Sequence, residues 1–168
     1  MLKHGKSRQD TYLELKAKYG SGKVVVDVIE NLPSLEAKKK YGIWNYFLLA
    51  LLLLITALFM RAAPSIGIVI WYGLLIYAVA RVLTKYYIWV TIMTAIAIAG
   101  GLAAVVTNDL ESVNWSNAVI FLILNVPALI LPIWLERKLC PAPTERREKY
   151  TNKEGKQKIR VVYEFRDV

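Results

Sequence analysis

The sequence holds one cysteine, Cys140, and one histidine, His4. A single thiol excludes an intramolecular disulfide, and no Cys/His cluster offers a zinc site. An enzyme would need a nucleophile–base pair, paired carboxylates or a metal set. The acids of the polar ends, such as Glu145, Glu148 and Glu154, instead alternate with Lys and Arg as on a solvated surface. No cofactor and no catalytic activity are therefore expected. Met1 to Lys40 is rich in charge and lacks the apolar stretch of a secretory signal, so insertion into a membrane falls to the first apolar span. No Asp, Glu or His lies deep in any apolar stretch. That absence argues against a proton-coupled transporter and an intramembrane protease, which keep ionisable or metal-binding groups there.

Apolar sequence is what the chain has in abundance. Its 168 residues are 56% hydrophobic with a mean hydropathy of +0.37, above the usual range of a soluble domain. A membrane helix needs about 20 largely apolar residues. The first candidate is 43–60, whose centre, Leu48 to Ile55, carries no polar side chain. Trp44 and Tyr46 mark one interface, and Arg61 with Pro64 closes the other. Ile66 to Val106 is one apolar block about twice a bilayer's thickness, so it must fold back. Its only charges, Arg81 and Lys85, precede Tyr86, Tyr87 and Trp89, and place the turn between spans at 66–83 and 87–106, although no Gly or Pro marks it. The last candidate is 118–135, stopped by Glu136, Arg137 and Lys138.

The net charge of +9 is distributed by position. Nine Lys/Arg precede the first span, ten follow the last, and three lie between. Lys38–Lys40, the Arg81/Lys85 turn and Arg137–Lys138 alternate with segments poor in Lys and Arg, which puts both termini in the cytoplasm. The basic flanks read as contacts to anionic headgroups rather than to nucleic acid, because aromatic interleaving is sparse.

The fold class expected is an all-α membrane protein: a four-transmembrane-helix bundle (43–135) with short cytoplasmic N-terminal helices (1–42) and a cytoplasmic tail (136–168) bearing a small β-hairpin at about 148–165. In the N-terminal segment, Thr11 to Tyr19 reads as helix and Gly20 to Gly22 breaks it. Residues 23–31 follow helical spacing although Val24 to Val26 would suit a strand. Ser34 is placed to cap a helix entering the first span. In the tail, Ile159, Val161, Tyr163 and Phe165 share one strand face. An isolated two-stranded hairpin is marginal in water, so this face needs cover from the N-terminal segment, the membrane surface or another chain.

Three further features carry alternatives. Ala95, Ala97, Ala99, Gly101 and Ala103 have small-xxx-small spacing, which serves packing within the helical unit or, less commonly, self-association. Arg81 and Lys85, four apart, would share a helix face and snorkel to the interface or hold a lipid headgroup. Asn125, flanked by Pro127 and Pro132, would bond across the bundle or line a polar path with Thr91 and Thr94. Asn114-Trp115-Ser116 matches a glycosylation triplet, a short match close to the membrane that chance explains. Size, the single Cys and the missing signal fit a bacterial inner-membrane protein. The function expected is a structural or accessory subunit of a membrane complex, meeting a protein partner or a second copy; the alternative is a small oligomeric transporter or channel.

Overall fold

The computed structural model describes residues 7–20, 22–62, 66–107, 115–151 and 157–165. Pro64, Asn114 and the Asn152–Gly155 turn lie outside them. Among the described residues the chain forms α1 (Arg8–Tyr19), α2 (Gly22–Glu30), α3 (Leu35–Ala62), α4 (Ile66–Ala80), a single 3-10 turn (Thr84–Tyr86), α5 (Tyr87–Thr107), α6 (Trp115–Leu139), β1 (Thr144–Thr151) and β2 (Gln157–Glu164). The fold is mostly helical, with one two-stranded antiparallel hairpin. Among the described residues, three helices are long and apolar enough to cross a membrane; α4, at 15 residues, is a shorter apolar helix. The chain divides into two compact units, Tyr41–Glu136 and a second made of Met1–Lys40 with Arg137–Val168. The two ends of the sequence, which sequence reasoning treats separately, thus fold together.

In the apolar unit, the helices carry large apolar residues outward: Leu54, Ile70, Leu74, Ile96, Ile123 and Ile130 are all exposed. Helices apolar on every side suit a hydrocarbon surround, not water. Tyr41 and Trp44 near the start of α3 meet Trp134 near the end of α6, edge to face at 5.5 and 5.8 Å. At the other end of α3, Phe59 meets Phe121 of α6 and Tyr72 of α4. Those contacts make α3 and α6 antiparallel.

The turn between α4 and α5 falls where the Arg81/Lys85 cluster points, and it needs neither glycine nor proline. α4 ends at Ala80, three residues before the expected 83, because a Schellman motif closes it. Leu83 N–H donates to Ala78 O and Val82 N–H to Val79 O, both at 2.9 Å. The left-handed position of that motif, normally glycine, is Val82 with φ 55°. A β-branched residue there is strained by about 1–2 kcal/mol. Val82→Gly relieves that strain but gains about 0.5–1 kcal/mol of unfolded-state freedom. The substitution is therefore expected to stabilise the apolar unit by a few tenths to about 1 kcal/mol, read as a higher midpoint in detergent-unfolding titrations. A lower midpoint would show that Val82 gains more from packing than it loses to strain.

The terminal unit is built around Tyr12, Val25, Val26, Ile29 and Phe165, with Leu15 and Tyr163 packed against them. α1 starts on Ser7, whose Oγ accepts from Asp10 N–H at 3.0 Å, and stops at Gly20, which takes the left-handed conformation. Residues 22–30 are helical: Val25, Val26 and Ile29 fall on the buried side, so burial at helical spacing outweighs β-branching. Ser34 Oγ accepts from Ala37 N–H at 3.1 Å and so caps α3. The hairpin is longer than 148–165, beginning at Thr144 directly after the Pro141–Pro143 linker. Its charged first strand pairs across the sheet, Arg160 forking onto Glu148 at 2.9 and 3.2 Å. Exposed pairs of this kind contribute less than about 1 kcal/mol each and serve register more than stability.

Candidate functional site

Three places concentrate buried polar or exposed apolar groups. The first is the hairpin face. Phe165 is buried and Tyr163 half-buried; their rings meet Tyr12 tilted and edge to face, with centroids 5.4 and 6.3 Å away. Phe165 N–H also donates to Gln9 Oε1 at 2.9 Å. Burial first, and then the Glu145 carboxylate beside it, hold the Tyr163 phenol above its ordinary pKa. The rest of the face is open: Ile159 is 64% exposed and Val161 40%. The face thus divides into an end that the N-terminal helices cover and an end that presents apolar surface. Register sets Arg147 opposite Val161 and Lys149 opposite Ile159, so the open end is apolar on one strand and basic on the other.

A buried arginine holds this unit together, and nothing in the sequence singles it out. Arg8 is 1% exposed. Its guanidinium donates to Ile29 O and Glu30 O at 3.3 Å, closing the C-terminus of α2, and to Pro141 O at 3.1 Å in the linker before β1. It also lies over the Phe165 ring, 5.1 Å from the centroid.

The second place is the inner face of the apolar unit. Asn45, buried on α3, donates from Nδ2 to Val79 O at 3.0 Å and accepts at Oδ1 from the Tyr87 hydroxyl. One side chain thereby joins α3 to both sides of the α4–α5 turn. A bond across the bundle is one of the two roles that the sequence offers Asn125. The structure gives Asn125 a bond to its own helix instead, Nδ2 donating to Phe121 O at 2.9 Å. Thr91 and Thr94 likewise bond back to Tyr87 O and Val90 O on α5. Hydroxyls turned onto their own helix are poor linings for a polar path.

The third place is a cavity of about 560 Å3, open on one side, walled by Ile55, Leu58 and Phe59 of α3 and Ile120 and Phe121 of α6. Arg61 and Asn125 also line it. Asn125 is 2% exposed, and its Oδ1 accepts no hydrogen bond. A buried acceptor left without a donor costs about 1–3 kcal/mol.

The remaining sequence candidates are scattered. Arg81 and Lys85 are exposed but share no helix face, because the chain leaves α4 at Ala80 and enters the 3-10 turn at Thr84. Arg81 instead lies over the Tyr77 ring at 5.6 Å. Of the small residues on α5, Gly101 meets a neighbouring helix: a Cβ there would fall 2.8 Å from the Phe121 ring. Ala97 is half-buried, and Ala95, Ala99 and Ala103 are exposed. Gly101 therefore serves packing of α5 on α6, and the alanine row faces outward. Among the described residues no group of His, Cys, Asp and Glu could hold a metal ion. No family model matches this chain, and no curated protein or solved structure shows significant similarity to it.

Proposed function

We propose that this chain is a four-span membrane protein with both termini in the cytoplasm, acting as a structural or accessory subunit whose terminal unit meets a protein partner. Three helices long enough to cross supply the scaffold, and α4 completes it. At 15 residues α4 is about 22 Å long, short of a hydrocarbon core of about 30 Å. The Arg81/Lys85 turn, whose long cations can reach outward to headgroups, covers the remainder. Antiparallel α3 and α6 support an even number of crossings, and the distribution of Lys and Arg supports a bacterial inner-membrane orientation with the ends inside.

The observation that carries the accessory role is the divided hairpin. The terminal unit closes its own core on Phe165 yet leaves Ile159 and Val161 exposed beside Arg147 and Lys149. An apolar patch rimmed by basic charge fits an acidic-rimmed protein surface. The alternative, a small oligomeric transporter or channel near Asn125, Thr91 and Thr94, draws less support because both hydroxyls donate to carbonyls of their own helix.

Photo-crosslinking from position 159 in intact cells is the test. A defined protein adduct, lost in the Val161→Lys variant while the chain still inserts, is expected. In the same cells Cys140 should react with a membrane-impermeant maleimide only after the cytoplasmic side is opened. Labelling of Cys140 in sealed cells, or an adduct pattern indifferent to Val161→Lys, would overturn the reading.

A further inference from the structure

The hairpin is a two-stranded sheet, so each strand keeps one outer edge. Its pairing runs from Thr144 opposite Glu164 to Thr151 opposite Gln157 without a bulge. Among the described residues, no backbone bond from another segment reaches the outer edge of β2 between Lys158 and Glu164. A straight, exposed edge of this kind is a template for a further strand. A two-stranded ribbon is marginal in water and gains stability from added strands.

Sequence register selects which strand that is. When two copies of one strand pair antiparallel about a two-fold axis, one residue lies opposite its own copy. β1 does not tolerate such an axis. Glu145, Arg146, Arg147, Glu148 and Lys149 fill its middle, so every central axis sets like charges face to face. β2 admits one. An axis at Arg160 opposes two guanidiniums, and an axis at Ile159 sets Lys158 against Arg160. An axis at Val162 pairs only 160–164 within the strand. An axis at Val161 pairs all of 158–164 and brings no like charges together. It sets Val161 against Val161, Ile159 against Tyr163, Arg160 against Val162 and Lys158 against Glu164.

We infer that this protein self-associates by pairing β2 of one copy with β2 of another about Val161, in a four-stranded antiparallel sheet ordered β1-β2-β2-β1. The inference rests on the partner-facing reading above and names the partner as a second copy of this chain. The axis stands perpendicular to the sheet, so the faces bearing Ile159, Val161 and Tyr163 lie on one side in both copies. The open end of one hairpin, at Ile159, then lies beside the helix-covered end of the other, at Tyr163. Glu145 is opposite Tyr163 in its own hairpin and Glu164 follows it, so the surface that meets Ile159 is apolar and rimmed by carboxylates. Glu164 lies 3.8 Å from Arg146 and stays half exposed, which leaves it free to receive Lys158 as well. The divided face is in this way complementary to itself: the basic, open end of each copy meets the acidic, covered end of the other.

Cysteine cross-linking of the full chain in isolated membranes tests the pairing, in a Cys140→Ser background so that no other thiol is present. Val161→Cys places two thiols on strands whose Cα atoms are about 4.5–5.5 Å apart, within disulfide reach. Oxidation with copper–phenanthroline is expected to convert most of that variant to a covalent dimer. Ile159→Cys alone should form at least about tenfold less, because its two copies are four residues, about 14 Å, apart in this register. Lys158→Cys and Glu164→Cys, both at exposed positions, should each fail alone and cross-link when co-expressed. That pair keeps the test sound if Val161→Cys disturbs the hairpin. Equal dimer yields from Val161→Cys and Ile159→Cys, or no mixed product from Lys158→Cys with Glu164→Cys, would overturn the pairing. The photo-probe at position 159 separates the two levels of the argument. An adduct at the mass of two chains supports the pairing. An adduct with a different protein, together with failed cysteine cross-links, overturns the pairing and leaves the partner-facing reading standing. No adduct of any kind overturns both.

Discussion

Replacing Arg8 by methionine is expected to unfold the terminal unit while the apolar helices remain folded. The guanidinium bonds to three main-chain carbonyls from two distant parts of the chain and covers the Phe165 ring. Bonds from a charged donor contribute about 1.5–3 kcal/mol each, partly offset by the cost of taking the charge out of water. Methionine fills much of the volume but donates nothing, so Ile29 O, Glu30 O and Pro141 O lose a partner together. The net loss is about 3–5 kcal/mol. A single core in a unit this small rarely supplies more than about 3–5 kcal/mol in all. Lysine is not expected to rescue the fold, because one ammonium cannot span carbonyls on α2 and in the linker as the planar fork does. Hydrogen exchange on the full chain in micelles would show α2 and β2 losing protection, with α5 and α6 unchanged. Retained protection in β2 would mean that the Tyr12–Phe165 contact holds the hairpin without Arg8.

Much of the architecture is legible in composition because hydrocarbon and charge are sorted along the chain. The apolar helices, the turn at Arg81, the cap at Ser34 and the strand carrying Ile159 to Tyr163 all follow from local pattern. What pattern cannot supply is partnership between distant segments. Arg8 sits among charged residues and reads as a solvated cation; only the return of Pro141 and Phe165 to its side makes it a core residue. β1 is hidden in the sequence for the same reason: Thr144 to Lys149 looks like a solvated run, and its strand character comes from pairing with β2. Asn125 stands out in the sequence as an amide within an apolar stretch, yet its nitrogen turns back on α6. Asn45 lies close to Trp44 and Tyr46 at the edge of a span, where polar residues are ordinary, and so carried no signal. A helical projection could have raised one, because Asn45, Leu48 and Leu52 fall on one buried face.

Asn45→Leu is the second substitution expected to have a large effect, now on the apolar unit. Asn45 is the donor to Val79 O and the acceptor of the Tyr87 hydroxyl, all three buried where water cannot replace them. Interhelical bonds in membranes contribute about 0.6–2 kcal/mol each, so losing both costs about 1–4 kcal/mol. Tyr87→Phe removes one bond and leaves Asn45 Oδ1 without its donor, at about 1–2 kcal/mol. Leucine in place of asparagine adds apolar contact but gains nothing against lipid, which is as apolar as leucine itself. The two substitutions act on one bond, so the double variant should fall short of the summed losses by about 1 kcal/mol in a detergent-unfolding cycle. The position of the network decides what that energy does. Val79 O also accepts from Val82 N–H in the strained motif that ends α4, and Tyr87 begins α5. Asn45 therefore fixes α3 to a turn that contains neither glycine nor proline. If the double variant loses the full sum, the two side chains act independently, and the turn must be held by its own backbone bonds.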